Sequence, residues 1–129
     1  MISPATRLII FTTAFVASAI AGNPSAKAEG KFDGRWSAVL ATKSGTCDAH
    51  YRGAVQVING NVEVQGAPNN VLSGRVSANG SVTVRGALGA NLNGIAWGRL
   101  SGTSGSGKWR VQMEDRKCFG VWTARRLSR

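Results

Sequence analysis

An all-β fold, an antiparallel up-and-down meander of about eight strands closing into a small calycin-like barrel, is what this sequence predicts. Three observations carry the prediction. Beyond Gly30 no stretch keeps a 3.6-residue apolar period, whereas short runs of alternating apolar and polar residues recur between turn residues, the pattern of half-buried strands. Asn59-Gly60 and Asn79-Gly80 each sit between two such runs, where Asn-Gly suits the tight type I′ turn of a hairpin. Lastly, seven of the eight runs place an arginine on the same parity, opposite the apolar residues.

The chain begins with a different kind of segment. A single early cation, Arg7, precedes an apolar run from Leu8 to Ala21, too short for the ~20 residues a membrane-spanning helix needs. Gly22-Asn23-Pro24 and the small-x-small triplet Ala26-Lys27-Ala28 follow, so residues 1–28 read as a secretory signal peptide cleaved after Ala28, with no transmembrane segment left after its removal. Glu29–Arg129 is then one small domain, exported to the periplasm or the extracellular space. Setting aside Arg7 and Lys27 leaves 14 of the 16 basic residues against 6 acidic ones, a net charge near +8. Such a balance in an exported protein points to polyanionic partners, anionic glycan or lipid of the envelope, or else serves solubility alone.

The eight strands are expected at Gly34–Thr42, Tyr51–Ile58, Asn61–Gln65, Leu72–Ser77, Ser81–Arg85, Leu92–Ser101, Lys108–Met113 and Phe119–Arg126. Taking Trp36 as inward carries Ala38 and Leu40 with it, and the same parity gathers Val55, Val57, Val62, Val76, Val82, Leu100, Trp109 and Trp122. The opposite parity gathers Arg35, Arg52, Arg75, Arg85, Arg99, Arg110 and Arg125, and this consistency is the internal check on register. A weak repeat, SGRVSANGSVTV at 73–84 and WGRLSGTSGSGKWRV at 97–111, supports a meander in which SGTSGSG is a hairpin loop. Closing the meander removes its open edges.

Cys47 and Cys118 are the two cysteines, and in an exported chain they make one disulfide most economically. One histidine and two distant cysteines do not supply a metal site, and no cofactor is expected. In an up-and-down barrel the connections after odd-numbered strands share one end, which places both cysteines there.

Gly34-Arg35-Trp36 resembles the G-x-W opening of the calycin group, which includes lipocalins, avidins and small secreted bacterial metalloprotease inhibitors. The resemblance implies a basic side chain of the last strand near that tryptophan, with Arg125 or Arg126 in that role. More of the chain, from FDGRW through GTCD and GRLSGTSGSGKWR to WTARR, resembles a group of small exported bacterial proteins that carries no assigned activity.

The cysteine-bearing end is the better equipped for chemistry. It holds Asp48, His50, Asn69, Asn70, Asn91, Glu114, Asp115, Arg116 and Lys117, whereas the other end has tight turns. Cys47 beside His50 has the composition of a nucleophile and base, but a disulfide removes the thiolate such a pair requires. Asp48 with His50 lacks a distinguished serine, and Glu114 and Asp115 are adjacent and point apart, so no catalytic constellation stands out. Trp36, Trp109 and Trp122 read first as core and second as the lining of an internal pocket. Trp97 lies on the arginine face with Arg75, Arg99 and Arg110, where it would serve a sugar ring or lipid headgroup. No basic run exceeds Arg125-Arg126, so specific nucleic-acid readout is not indicated. The function expected is a non-enzymatic binding or envelope-associated module whose binding residues are Trp97, Arg75, Arg99, Arg110, Asp48, His50, Arg116 and Lys117. The alternatives are a calycin-type barrel holding a small ligand and a secreted protease inhibitor presenting its arm, Glu29–Asp33, or the Cys47 loop.

Overall fold

The computed structural model describes residues 30–69, 71–87 and 91–129. The proposed signal peptide, the arm's first residue Glu29, and Asn70 lie outside these. The strands are β1 (Gly34–Ser44), β2 (His50–Ile58), β3 (Asn61–Val64), β4 (Leu72–Val76), β5 (Ser81–Ala87), β6 (Asn93–Ser101), β7 (Ser104–Gln112) and β8 (Lys117–Ser128). Each pairs antiparallel with the next, and β8 returns to β1, so the sheet is a closed barrel. The expected fold is the observed one.

Three local expectations are corrected. The segment SGTSGSG is not a loop: Gly102 and Thr103 alone turn the chain, Ser101 pairs with Ser104, and β7 starts four residues earlier than the alternation indicated. Gly105 and Gly107 present no side chain to an alternation count, which hid that part of the strand. The two Asn-Gly turns also differ. Asn59 (φ 50°) and Gly60 (φ 79°) both take the left-handed conformation that type I′ requires. In the second turn Gly80 alone does so (φ 93°); its N–H donates to Ser77 O at 2.9 Å and Asn79 Oδ1 accepts from Ser81 N–H, a longer turn. His50, expected in a loop, opens β2 opposite Ala41.

Face assignment follows the predicted parity. Arg35, Arg52, Arg75, Arg85, Arg99, Arg110 and Arg125 are all exposed, and the buried set is made of inward residues together with Phe32. Burial is graded along the barrel axis. At the end where β2 finishes, Val57, Val62, Val76, Val82 and Leu100 form a closed layer with Trp36. Residues 30–33 lie across that layer as its floor. Phe32, 3% exposed, inserts into it, its carbonyl accepts from Trp36 Nε1 at 2.9 Å, Lys31 O accepts from Arg126 Nη2 at 2.9 Å, and Asp33 Oδ1 accepts from Asn59 N–H at 2.8 Å. The part of the N-terminal arm that is described, which the inhibitor reading left free, is therefore pinned beneath the barrel.

Candidate functional site

The inward side chains toward the other end do not close the barrel. Val55, Val64, Leu72, Gly74, Val84, Ala96 and Val111 are half-buried, and on β2 the exposure rises step by step from Val57 to Tyr51, which is 39% exposed. The barrel is filled at its floor and open above. Its upper part is a cavity of about 470 Å³ that reaches from Trp36 to Ala67, Val71 and Leu92 at the mouth.

Small inward residues make that space. One row across the wall reads Gly53, Ala38 and Ala124 on β2, β1 and β8, and Gly94 and Ala96 on β6 line the same space. A methyl group built on Gly53 would find no atom within 4 Å. Trp109 and Trp122 lie against the wall instead of across the lumen, because each faces a glycine. Trp109 pairs with Gly120, and Trp122 pairs with Gly107 and abuts Gly98. A Cβ on Gly98 would sit 2.7 Å from the Trp122 ring, so the indole occupies the room those glycines leave.

The three lumen indoles thereby use their N–H groups on the protein itself. Trp36 Nε1 donates to Phe32 O at 2.9 Å, Trp109 Nε1 to Val121 O at 3.1 Å, and Trp122 Nε1 to Trp97 O at 3.1 Å. They show the cavity only carbon surface. Tyr51 stands at the mouth with its ring 6.4 Å from that of Trp109, edge to face, and its hydroxyl accepts from Asp48 N–H at 3.0 Å. Arg126, on the last strand, lies 5.2 Å over the Trp36 ring at the floor, the position the calycin resemblance implied for Arg125 or Arg126. This polarity is the reverse of a membrane-spanning barrel, which is apolar outside and polar within.

The predicted site residues divide into three groups. Cys47 and Cys118 form the disulfide, which ties the β1–β2 connection to the start of β8 beside the mouth. Asp48 and His50 are exposed and no hydrogen bond or ion pair joins them. Arg116 reaches Thr46 O at 3.5 Å and Asp115 at 4.0 Å in solvent, contacts worth little. The structure does not assemble these rim residues into one site. On the outer face, Arg110 lies 5.8 Å over Trp97, and Arg99 follows Trp97 on the same strand face. Arg75 is two strands away across Thr83, roughly 10 Å. Lys117 opens β8 opposite Gln112, at the edge of that face.

Ile95, Lys108, Phe119 and Val121, which sequence reasoning did not single out, also belong to the outer cluster: Trp97 pairs with Lys108, Lys108 with Val121, Ile95 with Arg110, and Arg110 with Phe119. Their parity was legible, but only the cross-strand register makes them neighbours. The signal for Phe32 was a large apolar residue just ahead of the first strand. Compared with family models, curated proteins and solved structures, the chain matches none. Fold and site together define a class, a closed eight-stranded up-and-down barrel with an apolar lumen open at one end.

Proposed function

We propose that this protein is an exported, non-enzymatic binder that holds one small apolar molecule in its lumen. The observation that carries the reading is the cavity of about 470 Å³ whose three tryptophans have spent their N–H donors on backbone carbonyls. A polar solute placed there would lose hydrogen bonds to water and find few in exchange. An apolar one loses nothing and gains contacts with aromatic and aliphatic carbon. The volume suits about 15 non-hydrogen atoms at ~30 Å³ per water-sized group. Any polar end of the ligand sits at the mouth, beside Tyr51 and Asn69. The disulfide is compatible with export and braces the mouth rather than the floor. This reverses the order of the two ligand readings, interior before outer face, and leaves the arm-presenting inhibitor without the free arm it invoked.

The test is a titration of the protein with phenylnaphthylamine, an uncharged dye that brightens in apolar surroundings. At roughly 0.3–0.5 kcal/mol per non-hydrogen atom, filling the lumen with about 15 atoms yields a Kd of roughly 3–500 µM. Saturation at one dye per chain, with energy transfer from the lumen tryptophans, is expected, and straight-chain alcohols should compete with an optimum chain length. No saturable binding at millimolar dye overturns the reading.

A further inference from the structure

We propose that the outer face of β5–β8 docks the barrel onto an anionic lipid surface. Its side chains fall on the outer parity of the strands, and Ile95 and Arg110 contribute both to this face and to the wall of the cavity. Across the four strands two adjacent rows run Arg85, Ile95, Arg110, Phe119 and Thr83, Trp97, Lys108, Val121. Across the strands apolar groups and cations take turns, so that β6 and β8 present the apolar pairs Ile95/Trp97 and Phe119/Val121 on either side of the cationic pair Lys108/Arg110 on β7, with Arg99 and Lys117 bordering the patch. Phe119 is 54% exposed, Trp97 38% and Val121 37%, so three of the six large apolar side chains exposed among the described residues belong to this one patch.

Charge is just as uneven. All six acidic residues of the chain, Glu29, Asp33, Asp48, Glu63, Glu114 and Asp115, fall outside β5–β8, while these strands carry seven cations. Glu114 and Asp115 lie in the β7–β8 connection at the mouth end, and the face of the strands below that connection is complementary to a negative surface. The apolar members decide which one. A polyanionic glycan would engage the cations and stack a sugar ring on Trp97, but it offers no apolar medium into which Phe119, Ile95 and Val121 gain by entering. The headgroup region of a bilayer accepts both: cations meet phosphate, the amphipathic Trp97 sits at the interface, and Phe119 enters the acyl boundary. Arg110 against Trp97 holds cation and aromatic ring together in the arrangement such an interface uses. Lys117 and Phe119 start β8 at the mouth end, so docking by this wall brings the open end of the barrel to the lipid surface.

Sedimentation with phosphatidylglycerol or phosphatidylcholine vesicles tests the proposal. It is run on the full chain and on residues 30–129, which contain every strand and the Phe32 floor. The apolar run at 8–21 would favour both vesicle types alike, so the readout is the anionic preference and its loss in variants of equal length. Binding is expected to phosphatidylglycerol, falling steeply from low to half-molar salt. At about fivefold per charge near the surface, the double variant Lys108→Glu/Arg110→Glu should weaken it more than ~100-fold. Phe119→Ser should weaken it about tenfold, and brominated lipid should quench tryptophan emission in the native protein but not in Trp97→Phe. The control Arg52→Glu/Arg75→Glu makes the same change in net charge on β2 and β4 and should cost less than tenfold. An unchanged near-ultraviolet dichroism spectrum and a native-like urea midpoint show that each charge variant and Phe119→Ser is folded. Equal loss in both double variants means a general charge effect and overturns the proposal. So does equal binding to both vesicle types, or dextran sulfate binding as tightly as phosphatidylglycerol with Phe119→Ser without effect on either. A dimer formed without lipid and dissolved by Phe119→Ser assigns the face to a second copy and likewise overturns it.

Discussion

Gly53→Phe separates a hollow barrel from a filled one, because the two predict opposite signs of stability change. Gly53 lies on the inward face of β2 opposite Ala38, its φ is not in the left-handed region, and a Cβ there would meet nothing within 4 Å. The substitution removes the excess chain entropy of a strand glycine, about 0.5–1 kcal/mol, and places a ring against apolar wall. Stabilisation of about 1–2 kcal/mol is expected, measured as a higher urea midpoint with unchanged slope. The same ring consumes ligand space. It adds seven carbons to a lumen with room for about 15 such groups, so a ligand loses about seven contacts' worth of binding, or ~2 kcal/mol at 0.3 kcal/mol per atom. Phenylnaphthylamine should bind about 30-fold more weakly. Were the interior already packed, the ring would overfill it at a cost of ~1–3 kcal/mol. A lower urea midpoint, or dye binding unchanged in a stable variant, refutes the reasoning.

Other substitutions probe what holds the cavity in shape. Replacing both Cys47 and Cys118 with alanine opens a loop whose ends are 71 residues apart, which on the chain-entropy account costs about 4 kcal/mol and, for a domain of this size, lowers Tm by roughly 15–30 °C; reduction of the native protein should reproduce the drop in calorimetry. Phe32→Ala removes the floor side chain, and a loss of about 3–5 kcal/mol is expected in chemical denaturation. Gly98→Ala pushes a methyl into the Ser106 carbonyl and Gly107 backbone of β7 as well as the Trp122 ring, and a loss of about 1–3 kcal/mol or more is expected in chemical denaturation, with altered near-ultraviolet dichroism if the indole gives way; an unchanged denaturation midpoint would show that the wall has room to spare.

Much of the fold was readable because a strand's side chains alternate with a fixed period, so Trp36 oriented its whole strand and one arginine per strand oriented the others. The reading slipped where glycine removes the alternation, at Gly105 and Gly107, and where one Asn-Gly pair took the longer turn at Ser77–Gly80. Of the candidate site, Trp97 with Arg110 emerged from parity, since both lie on the outer side of neighbouring strands. Asp48, His50 and Arg116 stood out by chemical rarity, and rarity carries no information about distance.

Alternation, turn chemistry and the two cysteines, all local or countable properties, determined the strands, their faces and the barrel's connectivity. Whether the interior is full depended on how residues from different strands meet at one height. Gly53, Ala38 and Ala124 are unremarked singly, and only the register sets them side by side as a row of wall without large side chains. The register also turns each lumen tryptophan against the wall and consumes its N–H, which makes the cavity apolar as well as empty. Space and hydrogen-bond satisfaction are relations between strands, and for that reason the tertiary structure alone decided them.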